Sequence, residues 1–469
     1  MGKILGAYIS PHPPIIIEEI GRGEVARAEK TVEGVKKLAE DIKAKKPTTI
    51  IVITPHGPLF SDAISISCED NLEGSFADFG RGDLKFQFQN NRQLVKKIIR
   101  ESNREGIMTA QIDKNFITRY NVSLKIDHGA LVPLYFVNKV YPNYKLVHIT
   151  YGLLSPLELY KFGSIVQNVV EDSEEEVVLI ASGDMSHKLS DEGPYTYAKE
   201  GKIFDESIVE YLNNNDLESI VSYDLGFAER AGECGLRSFM IMAGFLDGYS
   251  IDTEVFSYEG PFGVGYLTGK IELLEKDSSR NIIDAVVRKN RKRVESIRNS
   301  EDEYVSLARK SLEYYIKEKS YLKIPKDLRD ELTQNRAGVF VSLKKHGKLR
   351  GCIGTIEPTS DSIAEEIIIN AVSAGLRDPR FESVEEDELE SIVYSVDVLK
   401  EPEAIDSIDE LDVNKYGVIV TSGFKRGLLL PNIEGVETPE EQVRIALQKA
   451  GIRGHESYKM ERFQVVRHH

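Results

Sequence analysis

Apolar positions along the chain fall into two kinds of pattern. The runs 4–9, 48–53 and 177–181 are short, unbroken and rich in β-branched residues, which predicts strands buried on both faces. Residues 25–45 instead carry apolar side chains at helical spacing with Lys and Glu between them, and Lys46-Pro47 closes the pattern, so an amphipathic helix is expected there. Further strands are predicted at 63–66, 84–88, 146–150, 252–258 and 265–274, and helices at 92–100, 130–140 and 237–245. This mixture predicts an α/β domain with a central sheet over residues 1–275. A charged stretch, 276–300, follows as a solvent-exposed helical connector, with its basic patch at 288–293 read as a solvated helix face. A smaller α+β unit is expected over 301–469. It opens on the helical stripe Val305, Ala308, Leu312, Tyr315 and Ile316 and centres on strands 338–343 and 349–354, joined by a turn at His346-Gly347. Helices 362–373 and 439–450 and strands 391–399, 417–421 and 426–431 complete it, the last helix starting at Pro439.

Length agrees with this division, since 469 residues exceed one ordinary core and suit two domains or three. With 41% hydrophobic and 29% charged residues the composition is globular. A net charge of -16 argues against nucleic acid or an anionic membrane as a general partner and leaves small molecules or proteins. Cys68, Cys234 and Cys352 form no CxxC pair, which excludes a zinc ribbon or disulfide framework and suits a reducing, cytoplasmic setting. Prolines interrupt the N-terminus before a signal-peptide core can form, and no apolar run is long enough to span a bilayer. Arg467-His468-His469 could be native or the remnant of a purification tag and is left out of the site reasoning.

Candidate chemistry enters where the strands stop. The first apolar run leads into Pro11-His12-Pro13-Pro14, whose prolines fix the backbone around an imidazole. The second leads into Thr54-Pro55-His56-Gly57-Pro58 and the third into Ser182-Gly183-Asp184-Met185-Ser186-His187. Alone, His12 reads as a loop residue; repeated at several strand exits, where ligands collect in open α/β sheets, it reads as part of a site. Asp127-His128-Gly129 precedes a helix, so that His128 lies at a dipole end favouring neutral imidazole, or is a bystander to an Asp127 cap. His148 lies inside a strand and reads as structural. Glu233 and Cys234 start a further helix, and Glu233 has a common alternative use as a first-turn carboxylate. Two imidazoles and one carboxylate form the facial triad of non-haem iron oxygenases, which His12, His56 and Glu233 would supply. His187 would then take a hydroxyl proton, and His128 would donate to substrate oxygen or dioxygen. Zinc hydrolysis is a further use of such donors.

These histidine segments resemble the class III extradiol ring-cleavage dioxygenases of the LigB type and their Memo-like relatives. The resemblance covers about residues 1–275. It implies an α/β fold, Fe(II) at the histidine pair, a catechol-type substrate, and the histidine of Met-Ser-His as base. Extradiol enzymes complete the metal site with glutamate and Memo-like proteins with cysteine before glycine; Glu233-Cys234-Gly235 offers both, and Cys234 would favour softer metals such as copper. Residues 300–469 resemble the AMMECR1 family through Leu-Arg-Gly-Cys-Ile-Gly at 349–354. That combination resembles two parts of the AmmeMemoRadiSam trio and implies, as the alternative to ring cleavage, a metal-binding scaffold acting with a radical SAM protein. Within the second motif, Arg350 is expected to lower the pKa of the Cys352 thiol, the alternative being a packed strand cysteine.

Overall fold

The computed structural model describes residues 2–120, 123–193, 195–277, 282–345, 348–433, 436–453 and 456–469. It divides into two compact units, Met1–Lys289 and Asn290–His469.

The first unit has the strands β1 (Lys3–Ser10), β2 (Thr49–Thr54), β3 (Ile64–Ser67), β4 (Asn71–Phe76), β5 (Arg81–Gln89), β6 (Thr109–Ile112), β7 (Lys145–Thr150), β8 (Glu176–Ser182), β9 (Tyr249–Glu259) and β10 (Tyr266–Lys276). Eight of them form one sheet in the order β6-β3-β7-β2-β8-β1-β10-β9, and β4 pairs with β5 as a separate hairpin. The centre, β7-β2-β8-β1, is parallel throughout, so four strands deliver their carboxyl ends to one edge. The unbroken apolar runs are explained by burial on both faces. Ala7, Ile9, Ile51, Ile53, Leu179 and Ala181 enter one apolar cluster with helices Pro156–Glu171 and Leu236–Phe245. Their neighbours Tyr8, Ile50, Val52, Val178 and Ile180 enter another with helices Glu29–Lys45 and His128–Val140. Truncating one of the central isoleucines, or Leu179, to Ala is a cavity-forming change of about 2–5 kcal/mol.

Some elements differ from expectation. Helix Glu29–Lys45 starts late because Arg22–Ala28 is wound as a 3-10 helix. Helix Pro156–Glu171 was missed, although Ser155 and Glu158 form a reciprocal capping box at its start. The connector is the helix Ile282–Asn299, and it is not simply solvent-exposed: Ile282 and Val286 are buried in the first unit's core.

The second unit has β11 (Val339–Lys345), β12 (Lys348–Gly354), β13 (Ile392–Leu399), β14 (Glu403–Ile405), β15 (Gly417–Ser422), β16 (Lys425–Leu429), β17 (Lys459–Phe463) and β18 (Val465–His468). They form two four-stranded sheets, β12-β11-β13-β18 and β14-β17-β15-β16. The expected β11–β12 pair is antiparallel; its turn, His346-Gly347, lies outside the described residues. Helices Glu303–Glu318 and Ile363–Leu376 cover the apolar face of the first of these sheets. The C-terminal histidine set aside as possible tag belongs to the fold: His468 pairs with Val396 across β18–β13, bonds Asp302 through Nδ1 at 2.5 Å and stacks on Tyr304.

Candidate metal centre

His12 lies two residues beyond β1 and His56 two beyond β2, while His128 opens the helix His128–Val140. Their ligand-capable nitrogens all lie within 4.8 Å of one another. Nε2 of His12 and Nε2 of His56 are 2.9 Å apart. Two nitrogens held at about 2.1 Å and at right angles on one cation would be separated by about 3 Å, so this spacing fits a shared ion. The His56 and His128 rings stack at 4.3 Å, and Phe79 meets His128 edge-on at 5.2 Å.

The hydrogen-bond network fixes the state of His12. Ser182 at the end of β8 donates its hydroxyl proton to the Gly129 carbonyl at 2.5 Å, so its oxygen accepts from His12 Nδ1–H at 3.0 Å. The His12 lone pair is thereby left on Nε2, facing the other imidazoles. Burial is the main force lowering His12 to a pKa of about 3, with repulsion from His128 next. His56, on the open side, is also lowered to about 3, by lost solvent first and then by its histidine neighbours. His128 is lowered by burial as well. Uncharged imidazoles with free nitrogens are what a cation requires of its ligands.

A layer behind the histidines holds them in place. Asp127 is the N-cap of His128–Val140 through Ala130 N–H, so the cap expected as an alternative to a site role exists beside it. It also accepts from Thr54 Oγ1 at 2.6 Å and from His148 Nε2–H at 2.9 Å. Burial pushes the Asp127 carboxyl up, but the His148 and Thr54 bonds outweigh it and hold it below the usual carboxylate range. His148 is buried as a structural residue, its Nδ1 taking a bond from Ser67. On the other side, Asp184 Oδ1 accepts the His12 backbone N–H at 2.8 Å. Sequence reasoning passed over Ser182 and Asp184, although both stand in the segment that leads to His187.

Residues 6–269 match the family described as the catalytic LigB subunit of aromatic ring-opening dioxygenase. The chain belongs to the LigB family. Residues 305–468 match AMMECR1, so the LigB domain is followed by an AMMECR1 domain. A Clostridium acetobutylicum protein is 47% identical over 464 residues, covering 99% of this chain and 98% of that protein. A Thermotoga maritima protein is 51% identical over 153 residues, covering 32% of this chain and 88% of its own length. A solved structure from Pyrococcus horikoshii is 33% identical, with a TM-score of 0.33, over 35% of this chain and 88% of that one. Among the described residues no helix is long and apolar enough to cross a membrane.

Within the LigB domain the remaining expected residues are distributed unequally. The structure brings together three imidazoles rather than two imidazoles and Glu233. Glu233 turns its carboxylate to the Leu236 backbone N–H at 2.6 Å, the helix-start use that was its alternative reading, and burial pushes its pKa up to about 7. Cys234 is nearer the group, with Sγ 3.6 Å from His12 Nε2 and 3.8 Å from His187 Nε2. Burial raises its thiol well above the ordinary value, and the Asp184 N–H donates to the sulfur at 3.2 Å. His187 lies 3.9 Å from the Asp184 carboxylate and stacks on Tyr195, and burial lowers its pKa. A cleft of about 540 Å³ opens beside His56 and His128, walled by Phe79, Ser75 and Lys125.

In the AMMECR1 domain, Arg350 does not serve Cys352. Its guanidinium is held bidentately by Glu388, through Nε at 3.1 Å and Nη2 at 2.8 Å, and donates to the Glu382 carbonyl. Cys352 meets a different arginine, Arg380, which donates to its carbonyl oxygen at 3.2 Å.

Proposed function

We propose that the LigB domain is a metal-dependent oxygenase acting on an electron-rich aromatic diol of the catechol type, with His12, His56 and His128 as metal ligands. The convergence of three uncharged imidazole nitrogens at the strand ends carries this reading. Fe(II) is the metal we assign. When bound, it supplies Lewis acidity and redox exchange between diol and dioxygen. The chain's own part is positioning and proton handling. Ser182 fixes the His12 tautomer, and Asp127 anchors the backbone from which His128 projects. His187, uncharged because it is buried, takes the proton of a substrate hydroxyl, and Asp184 at 3.9 Å favours the imidazolium that results. The cleft beside His56 is large enough for an aromatic ring, with Phe79 as its apolar wall.

One observation favours a second reading. A donor set of three histidines without a carboxylate is also that of hydrolytic zinc sites, and the Cys234 sulfur nearby would suit copper. Anaerobic reconstitution with Fe(II), Zn(II) and Cu(I), followed by metal analysis and oxygen uptake with a panel of catechols, separates these. The iron-loaded protein is expected to consume oxygen with at least one diol. Full metal occupancy without uptake overturns the oxygenase reading and leaves a metal-binding protein without ring-cleavage activity.

A further inference from the structure

We infer that Asp205 is a positioning residue for His187: from the helix Lys199–Asn213 its carboxylate holds Ser186, the residue before the proposed base, and so sets where the imidazole stands. The role rests on the reading of His187 as the group that takes the substrate's hydroxyl proton. Each backbone N–H of the segment Met185-Ser186-His187 has a partner. Met185 N–H donates to the Gly265 carbonyl at 2.9 Å and His187 N–H to the Gly232 carbonyl at 3.1 Å. Only Ser186 N–H goes to a side chain, Oδ1 of Asp205 at 2.8 Å.

The contact is built as a socket. Gly201 and Asp205 stand one turn apart on the buried stripe of their helix, so both face Ser186. A Cβ on Gly201 would lie 2.4 Å from Ser186 Oγ, and a Cβ on Gly265, the residue before β10, would lie 2.0 Å from Asp205 Oδ2. Bare backbone on two sides thus lets the carboxylate and the serine meet. Within the socket Ser186 Oγ donates to the Ala231 carbonyl at 2.7 Å and accepts the Lys188 N–H at 3.0 Å, and the Ser186 carbonyl accepts the Gly265 N–H at 2.8 Å. The other oxygen of Asp205 accepts the Tyr258 hydroxyl at 2.7 Å, which fixes the plane of the carboxylate. Stability alone does not account for a carboxylate here. Asp205 and Ser186 are fully buried, and burial pushes the Asp205 pKa up to about 7, so the ionised form weakens the fold at neutral pH. What the carboxylate secures is direction. A rotation at Ser186 would swing His187 away from the Asp184 carboxylate, 3.9 Å from its Nε2, and from the face of Tyr195.

Imidazole NMR of the full chain, kept free of iron so that the signals stay sharp, reads the surroundings of His187, whose signal is the one lost in His187→Gln. Asp205→Leu keeps the branching of the side chain and removes both acceptor oxygens, and Gly201→Ala pushes on Ser186 from the other side. Each is expected to move the His187 signal and to leave that of His468, in the other unit, where it stands. Asp205→Asn, which keeps an acceptor for the Ser186 N–H, should leave both. An unmoved His187 signal in the first two variants, or equal movement of His187 and His468, overturns the proposal. Gly201→Ala carries the test if Asp205→Leu fails to fold. In the iron-loaded protein Asp205→Leu should lower kcat for a catechol by roughly 10- to 100-fold with KM changed by about twofold or less, and Asp205→Asn should recover most of the loss. An Asn variant as slow as the Leu variant also overturns positioning. Absence of oxygen uptake in the unaltered chain rejects the oxygenase reading instead, and the NMR signals then decide the place of Asp205.

Discussion

At the scale of single residues, the site depends on which atom holds a proton. Ser182 makes His12 present Nε2 to its neighbours, so Ser182→Ala is expected to weaken metal binding by about 10- to 100-fold without removing a ligand, measurable by competition with a chelator. His128→Ala should abolish stoichiometric metal, whereas Glu233→Gln should retain it, because the Glu233 carboxylate bonds its own helix start. Metal content equal in both variants would reject the three-histidine assignment. Away from the ligands, Asp205 is a buried carboxylate that accepts from Ser186 N–H and Tyr258 OH. Burial pushes its pKa up to about 7 from an ordinary 3.8. Between those values the folded chain holds a proton that the unfolded chain has released, so this group makes stability fall as pH rises from about 4 to 7. Asp205→Asn should flatten that fall in denaturant titrations run across the range. None of these partners was legible beforehand: His12 stands out by its flanking prolines, but nothing local says that Ser182 will be beside it, or that Ser186 and Tyr258 will meet Asp205.

At the scale of elements, close approach between loops decides the site. A Cβ on Gly183 would lie 2.0 Å from Gly235 Cα, so the loop after β8 and the loop that carries Cys234 touch through bare backbone. Gly183→Ala must push them apart, and the expected result is a lower melting temperature together with weaker metal binding, read on the same preparation. The strand exits themselves were readable, because a strand buried on both faces leaves an unbroken apolar run and its prolines mark where it stops. Weaker signals were lost. Strand β4 lies in a polar stretch, and its pairing with β5 comes from the hairpin rather than from periodicity. The closing Arg467-His468-His469 was left out of the site reasoning, yet His468 joins β18 to Asp302 and Tyr304 at the start of the helix Glu303–Glu318. His468→Ala should therefore destabilise the AMMECR1 domain, by about 1–2 kcal/mol in urea unfolding.

At the scale of the whole molecule, the chain is built as two units with separate cores. A ligand stabilises the unit that binds it, so metal at about 100 times its dissociation constant should raise the stability of the LigB domain by about 2.7 kcal/mol. The AMMECR1 transition in the same calorimetric scan should stay where it is; a shift of both by equal amounts would argue against independent units. The order of the two domains, the strands buried on both faces and the histidines at their ends were determined by the sequence alone, because such burial and proline stops are written locally in the chain. The convergence of three imidazoles, the turning of Glu233 onto its helix, and the meeting of Cys352 with Arg380 in place of Arg350 were decided only by tertiary structure. Each of these depends on which groups distant stretches of chain bring within bonding distance, and a polar side chain takes the partner that burial leaves it, not the one nearest in sequence.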